Sequence, residues 1–329
     1  MRVYRDADAD LALIRGKKVA IIGYGNQGRA QALNLKDSGV AELRIALKAG
    51  STRRAQAQAD RTAVVEPDEA ARWADVIVIL TPDEHQGVLY DDYLKDNIKP
   101  GAALIFAHGL AIRFGIIRPR SDLDVLLVAP KGPGTALRND YLAGSGLITL
   151  FAVHQDPSGT GRAVALSYAA ALGSGRKGIL ETSFAEECEA DLFNEQAVLW
   201  GAIPELILAG YDTLTEAGFS PEIAYFECLT EVKLLADLLV ERGIAGMREA
   251  ISNTAEYGAL IGGPRIVTDD TRREMRRILA EVRKGDFAQR LVAEAKQDYP
   301  GLRAARSASA THPIEAVAAR MRALAAGGT

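Results

Sequence analysis

"KKVAIIGYGNQG", residues 17–28, opens with two lysines, runs through an unbroken apolar stretch and ends in three glycines at spacing G-x-G-x-x-G. An apolar run without polar alternation reads as a strand buried on both faces. Within the glycine segment, Gly23 permits a tight turn, Gly25 lets backbone approach a pyrophosphate, and Gly28 permits close helix–strand contact. The next stretch, "QGRAQALNLKDSG", reads as a helix whose N-terminus would hold that phosphate. The spacing alone is weak evidence, since a structural glycine turn has the same letters. Here it comes after a strand, opens a helix and heads an alternating region, which points to dinucleotide binding.

Outward from that turn, "ELRIALK", "DVIVILTP", "ALIFAHG", "DVLLVAPKG" and "LITLFAVHQD" repeat the apolar strand theme, with helix-forming stretches between several of them. Strands alternating with helices predict a mostly parallel, doubly wound sheet of the Rossmann type, over roughly residues 1–181. An NAD site usually carries an acid at the end of the second strand, where it binds the ribose 2′-hydroxyl. This chain has "LKAGSTRRAQ" there instead: Lys48, Ser51, Thr52, Arg53 and Arg54, and no acid. Cations and hydroxyls suit a 2′-phosphate, so the expected cofactor is NADPH; a solvated basic loop is the alternative.

Beyond "GILET" the β-branched alternation fades, and residues 182–329 read as an all-helical domain. One helical stretch spans "FAEECEADLFNEQAVLWGAIPELILAGYDTLTEAG", with an interruption expected at Pro204. Another begins at Ser220-Pro221-Glu222, an N-cap followed by proline at the first helical position. Glycines at 243–246 and 258–263 predict breaks between shorter helices. A weakly held tail is expected after "HPIEAVAARM". The first helix carries Glu187, Asp191 and Glu195 at i, i+4 and i+8, on one stripe. The second carries Glu227 and Glu231 in "YFECLTEVKLLADLL". Two such pairs can converge on a hard divalent cation such as Mg²⁺, and a solvated acidic face gives the same spacing. Carboxylates among Leu, Phe and Val would be costly without a cation.

The totals restrict the class. The chain has 329 residues, 48% of them hydrophobic and 25% charged, and a formal net charge of −4. That balance argues against a nucleic-acid or anionic-membrane surface as the main partner. No apolar run reaches the ~18 residues of a membrane span. Acids in "MRVYRDADAD" stand where a secretory signal would be apolar. Two cysteines, Cys188 and Cys228, are too few for a disulfide framework, so a reducing cytoplasm is the expected compartment.

With those residues assembled, the sequence resembles the ketol-acid reductoisomerases of branched-chain amino-acid synthesis, in their short form. The motifs are "ADLALIRGKKVAIIGYGNQGRAQALNL", "FAHG", "VAPKGPG", "ADLFNEQAVL", "AYFECLTEVKL" and "ISNTAEYG", in family order and nearly end to end. The resemblance implies a Rossmann domain followed by a knotted helical domain that dimerises. It implies that Asp191 bridges two Mg²⁺ ions, with Glu195 on one and Glu227 and Glu231 on the other. Glu187 and Glu231 would lie near the substrate oxygens, and His108 and Lys131 match polar active-site residues. Ser252 would hydrogen-bond the substrate carboxylate from the partner subunit. Gly23, Tyr24, Gly25, Asn26, Gln27, Gly28, Lys48, Ser51, Arg53 and Gly134 fall on cofactor-binding positions. The implied reaction takes 2-acetolactate or 2-aceto-2-hydroxybutanoate, shifts an alkyl group and reduces the product with NADPH to a 2,3-dihydroxy acid.

The chain also departs from the family pattern. Asn26 and Arg29 stand where serine and histidine are usual, and Arg53 and Arg54 replace serine and tryptophan. Leu110-Ala111 replaces Phe-Asn, Thr135 and Thr230 each replace a histidine, and Asn194 replaces a glycine. Trp200 stands where a small residue is usual, and either reshapes the alkyl pocket or fills core space. These changes keep open a diverged homologue acting on another hydroxy-keto acid, or one reducing a keto acid without migration. His85, His154 and His312 read as structural.

Overall fold

The computed structural model describes residues 2–325. The chain forms two compact units, Met1–Ala190 and Asp191–Thr329. The sequence places the boundary at 181/182; the division falls within a helix, Phe184–Asn194, that begins just past that point.

The first unit is built on a nine-stranded sheet: β1 (Val3–Tyr4), β2 (Val19–Ile22), β3 (Leu43–Ala46), β4 (Ala63–Val65), β5 (Val76–Ile79), β6 (Ala103–Phe106), β7 (Asp124–Pro130), β8 (Thr149–Gln155) and β9 (Ile179–Glu181). Their spatial order is β1-β9-β8-β7-β6-β5-β2-β3-β4. From β4 across to β7 every pairing is parallel, and β8 turns antiparallel against β7. The chain leaves β2 toward β3 on one side and returns to β5 on the other, so the carboxyl ends of β2 and β5 form the switch point where open sheets bind ligands. The apolar strands are as buried as their sequence predicts: Ile21, Ile45, Ile77 and Phe106 have no exposed surface. Each such side chain contributes about 1.5–3 kcal/mol by leaving water. Two apolar clusters, one per face of the sheet, complete three layers.

The second unit is helical. The Phe184–Asn194 helix runs into a π turn at Glu195–Leu199, and a separate helix spans Ala202–Glu216. The interruption therefore comes at Trp200-Gly201 rather than at Pro204. Pro204 lies in the first turn of the new helix, where its missing N–H costs nothing. A Cβ on Gly201 would meet the Gln196 carbonyl oxygen at 1.9 Å, so this junction requires glycine. Ser220 is the N-cap before Pro221, as expected, although its side chain makes no cap hydrogen bond. Pro221–Tyr225 passes into a second π turn, Phe226–Thr230, and then into Val232–Ala250.

Gly243, at φ +68°, breaks the helical path within that last segment. The glycines at 258, 262 and 263 instead lie inside one helix, Asn253–Ile266. Each costs up to about 1 kcal/mol there, too little to end it. The Asp269–Lys284 helix has its ends marked in sequence: Thr268 caps it, acids open it, and Arg283 and Lys284 close it before Gly285 at φ +86°. Pro300–Thr311 and Pro313–Ala325 complete the described chain. Ile314, Val317 and Ala318 are buried with Tyr211, Ala224 and Tyr225, so the "HPIEAVAARM" helix is packed; the segment expected to be weakly held begins after it, where the helix continues to Ala325 with residues 322–324 exposed. Residues 326–329 of that tail lie outside the described residues. Trp200 is 71% exposed, which removes the core-filling reading within this chain.

Candidate active site

The glycine turn after β2 is constrained as the motif requires. Gly23 sits at φ +102°, and a Cβ there would lie 2.7 Å from the Leu80 carbonyl oxygen. A Cβ on Gly28 would fall 2.3 Å from the Gly23 carbonyl, whereas one on Gly25 would meet nothing within 4 Å. Gly25 is thus the position at which backbone borders open space. Gly134 is pressed against the same turn, since its Cβ would lie 2.2 Å from the Asn26 carbonyl oxygen. Gln27 ties the two loops by donating from Nε2 to the Gly132 carbonyl at 2.8 Å.

A cavity of about 700 Å³ opens at the carboxyl ends of β2, β3 and β5. Of the expected cofactor residues it is lined by Gly23, Lys48 and Ser51. The opposite wall carries Thr81, Pro82 and His85, which the sequence pattern does not assign to the cofactor. A signal for them exists: "TPDEH" directly succeeds an apolar strand, in the same kind of loop as residues 48–54. Thr81 Oγ1 is buried with no hydrogen-bond partner among the described residues, as suits a wall awaiting a polar ligand.

The basic loop divides its cations. Arg54 donates to the Leu47 carbonyl at 2.5 Å and to Glu66 at 2.8 Å, fastening the loop to its own surroundings. Lys48 places its ammonium 4.6 Å from the Tyr93 ring centroid. Arg53 is exposed and has no ion-pair partner among the described residues. Tyr24 lies in the core with its hydroxyl donating to Asp60 at 3.0 Å, and Arg29 grips the same carboxylate through two bonds of 2.6 and 2.9 Å. The Arg29 hydrogen bonds hold the Asp60 carboxyl down at about 2. Burial and then the Asp60 carboxylate push the Tyr24 phenol well above its usual range.

A second polar cluster lies at the ends of β6 and β7. Glu187 is only 2% exposed. Its Oε2 accepts from the Gly109 backbone N–H at 2.9 Å, and its Oε1 accepts from Lys131 Nζ at 3.2 Å. His108 brings a ring nitrogen within 4.8 Å of a Glu187 oxygen, and its Nδ1 lies 3.3 Å from the Leu110 N–H and 3.7 Å from Asp83. Glycine at 109 is forced: a Cβ there would lie 2.5 Å from the Phe184 carbonyl and 2.9 Å from Cys188 Cβ. Thus His108, Lys131 and Glu187, expected together, come together.

Asp191 lies one helical turn beyond Glu187, and Glu195 opens the π turn. Glu227 lies inside the other π turn and Glu231 caps it. Both acidic motifs expected to bind metal thus carry a wider turn than the regular helix assumed from spacing; π turns often mark functional positions. Glu227 and Glu231 are exposed, with no ion-pair partner among the described residues. Among those residues neither they nor Glu195 join a group of three ligating side chains. Ser252 caps the Asn253–Ile266 helix, accepting from the Ala255 N–H at 3.2 Å. Beside it Arg248, Asn253, Glu256, Tyr257 and Leu260 line a hollow of about 310 Å³.

A glycine turn beside a cleft at the switch point of a doubly wound sheet is the architecture of a dinucleotide-binding protein. Comparison with known proteins narrows the class. The family model for the NADPH-binding domain of acetohydroxy acid isomeroreductase matches residues 13–178, and that for the C-terminal domain of ketol-acid reductoisomerase matches residues 184–326. An NADH-preferring ketol-acid reductoisomerase from an uncultured archean is 43% identical, with a TM-score of 0.94 over 98% of this chain and 99% of that one. The chain belongs to the ketol-acid reductoisomerase family, enzymes of branched-chain amino-acid biosynthesis that use a nicotinamide cofactor.

Two distant structures share the fold alone. The semialdehyde dehydrogenase NAD-binding protein of Cupriavidus necator is 19% identical, with a TM-score of 0.60 over 82% of this chain and 99% of its own. The pyrroline carboxylate reductase of Plasmodium falciparum is 14% identical, with a TM-score of 0.53 over 82% and 98%. No described helix is long and apolar enough to cross a membrane.

Proposed function

We propose that this protein converts 2-acetolactate and 2-aceto-2-hydroxybutanoate into 2,3-dihydroxy-3-alkyl acids by alkyl migration followed by reduction with NADPH. The observation that carries the reading is Glu187, a buried carboxylate held between a backbone N–H and Lys131 beside His108. Two donors orient it and offset the cost of burying its charge. It takes the proton of the substrate hydroxyl, and Lys131 and His108 supply donors for the oxygens that gain charge as the alkyl group moves.

The donor set fits a hard divalent cation, because it is carboxylate oxygen throughout. Asp191, Glu195, Glu227 and Glu231 would hold two Mg²⁺ ions, which supply Lewis acidity to the hydroxyl and ketone oxygens. Ser252 would bind the substrate carboxylate. Gly23, Asn26, Gln27 and Gly134 would hold the dinucleotide, which would supply the hydride. For the 2′-phosphate, Arg53 and Ser51 are the available ligands and Lys48 is within reach of the same cleft. The relative that prefers NADH makes cofactor choice the finer question, and NADPH is favoured here by the absence of an acid at the end of β3.

The helical unit would dimerise in a cytoplasmic enzyme, as its exposed apolar side chains suggest. The second reading, reduction of a keto acid without migration, rests on the bulk of Trp200 directly after a metal-site π turn. One experiment separates them: mix the protein with Mg²⁺ and either NADPH or NADH, offer 2-acetolactate or 3-hydroxy-3-methyl-2-oxobutanoate, and monitor reduced-cofactor absorbance. Mg²⁺-dependent turnover of acetolactate establishes the isomeroreductase. Turnover of the keto acid with silence on acetolactate establishes the second reading.

A further inference from the structure

We infer that Tyr93 sets the balance between the two nicotinamide cofactors by holding Lys48 away from the 2′-phosphate position. The inference rests on the cavity beyond β2, β3 and β5 being the dinucleotide cleft. Lys48 lines that cavity at the end of β3, where the side chain that meets the ribose 2′ position arises. Its ammonium, however, lies 4.6 Å from the centroid of the Tyr93 ring. Tyr93 is not among the residues lining the cavity; it belongs to a π turn, Tyr90–Leu94, that continues the Asp83–Leu89 helix forming the far wall. Ser51 and Arg53 lie on the loop side.

A cation over an aromatic face is attracted by the ring quadrupole, and at an exposed lysine that attraction is modest but real. Asp91 and Asp92, exposed on the same turn, add negative charge to that wall. A cofactor bearing a 2′-phosphate draws Lys48 off the ring and must overcome the contact. A cofactor with a 2′-hydroxyl leaves Lys48 where it is. Arg54 cannot stand in, because its guanidinium is engaged by Leu47 and Glu66. Tyr93 therefore acts through Lys48 as a positioning residue that lowers affinity for NADPH without touching either cofactor.

Equilibrium binding of NADPH and NADH to the full chain tests this, with wild type, Tyr93→Phe, Tyr93→Leu, Lys48→Gln and the Lys48→Gln/Tyr93→Leu pair. Tyr93 packs partly buried against the apolar cluster on its face, so leucine keeps the packing and phenylalanine keeps the ring. The expected result is NADPH bound about two- to fivefold more tightly by Tyr93→Leu, the size of an exposed cation–π contact. NADH affinity should not change, Tyr93→Phe should match wild type, and leucine should have no effect once Lys48 is glutamine. Equal effects on both cofactors, an effect that persists without Lys48, weaker NADPH binding, or no change overturns the inference. Wild type that binds neither cofactor overturns the dinucleotide cleft itself, and the inference with it.

Discussion

In the α/β unit Ile21, Ile45, Ile77 and Phe106 are sealed from solvent, whereas in the helical unit Val240 is 88% exposed and Trp200 71%, with Leu234, Ile244 and Leu260 also open. The first unit has two extensive apolar clusters flanking a sheet. The second has one small cluster around Tyr211, Tyr225 and Ile314. Polar groups divide in the same way. Glu187, Lys131 and Asp60 are already bonded to specific partners, while Glu227 and Glu231 stand exposed. Self-contained packing goes with a cofactor cleft that exists within one chain. Open apolar side chains and open carboxylates are what a unit that binds a second copy and a cation would show.

That contrast breaks most sharply at Asp191. If the helical carboxylates serve the chemistry and the α/β unit serves the cofactor, Asp191→Asn should lower turnover of acetolactate by about 10²–10³-fold, the scale of a lost electrostatic contact to the transition state. Dinucleotide affinity should stay within about twofold, because the glycine turn and the Lys48 cleft are elsewhere in the chain. Parallel loss of both, measured by steady-state kinetics and cofactor titration, would mean the two units do not divide the work.

A smaller effect probes the other side. Gly28→Ala puts a Cβ 2.3 Å from the Gly23 carbonyl, and backbone must shift to admit it. Overpacking of this kind costs about 1–3 kcal/mol. For a unit of this size that lowers the melting temperature by roughly 2–12 °C. Cofactor affinity should fall with it if the distorted turn holds the pyrophosphate, as proposed. Unchanged melting would show that the turn is looser than its geometry.

These features are unequally legible in the sequence. The six apolar strand runs, the glycine turn and the shift to helix after residue 181 can be read because period and punctuation are local. β1, β4 and β9 cannot, being two or three residues long and held mainly by their neighbours in the sheet. The π turns are hidden, since a single widened turn leaves no mark on an i, i+4 pattern. Arg54 groups with the phosphate ligands in sequence, which shows its charge and not its bonds to Leu47 and Glu66. His85 reads as structural for the converse reason: the cavity beside it exists only once β3 and β5 flank β2. The roles proposed for Asp191 and Glu227 rest on family resemblance, because spacing alone fits a solvated acidic face, and so does that of Ser252, which in sequence reads only as a helix-end residue.

The open apolar side chains have their own test. Val240→Asp places a charge where the helical unit shows one of its most exposed apolar side chains. If Val240 is covered by a second copy, sedimentation should show dissociation to a smaller species, with the circular-dichroism spectrum unchanged. A buried unpaired carboxylate costs several kcal/mol, enough to raise a dimer dissociation constant by at least about 10²-fold. A wild type that sediments as a monomer at micromolar concentration would remove the explanation for the exposed residues.

The smallest effect lies in the Asp60 bridge, where acid distinguishes bonded from open carboxylates. Asp60 has a folded pKa of about 2, held down chiefly by Arg29, against about 3.9 for an unfolded aspartate. A carboxyl with a lowered folded pKa contributes stability that is fully present above the unfolded value and is lost as pH falls through the folded one. The contribution should therefore be intact at pH 5, decline below about pH 4 and be nearly gone near pH 2. Asp60→Asn should lower the urea midpoint at pH 5, with the difference from wild type narrowing between pH 4 and pH 2. A difference that stays constant across that range would mean Asp60 acts through its shape and its bond to Tyr24 rather than through its charge. The glycine turn would then be held by packing and that hydrogen bond, without help from the charge.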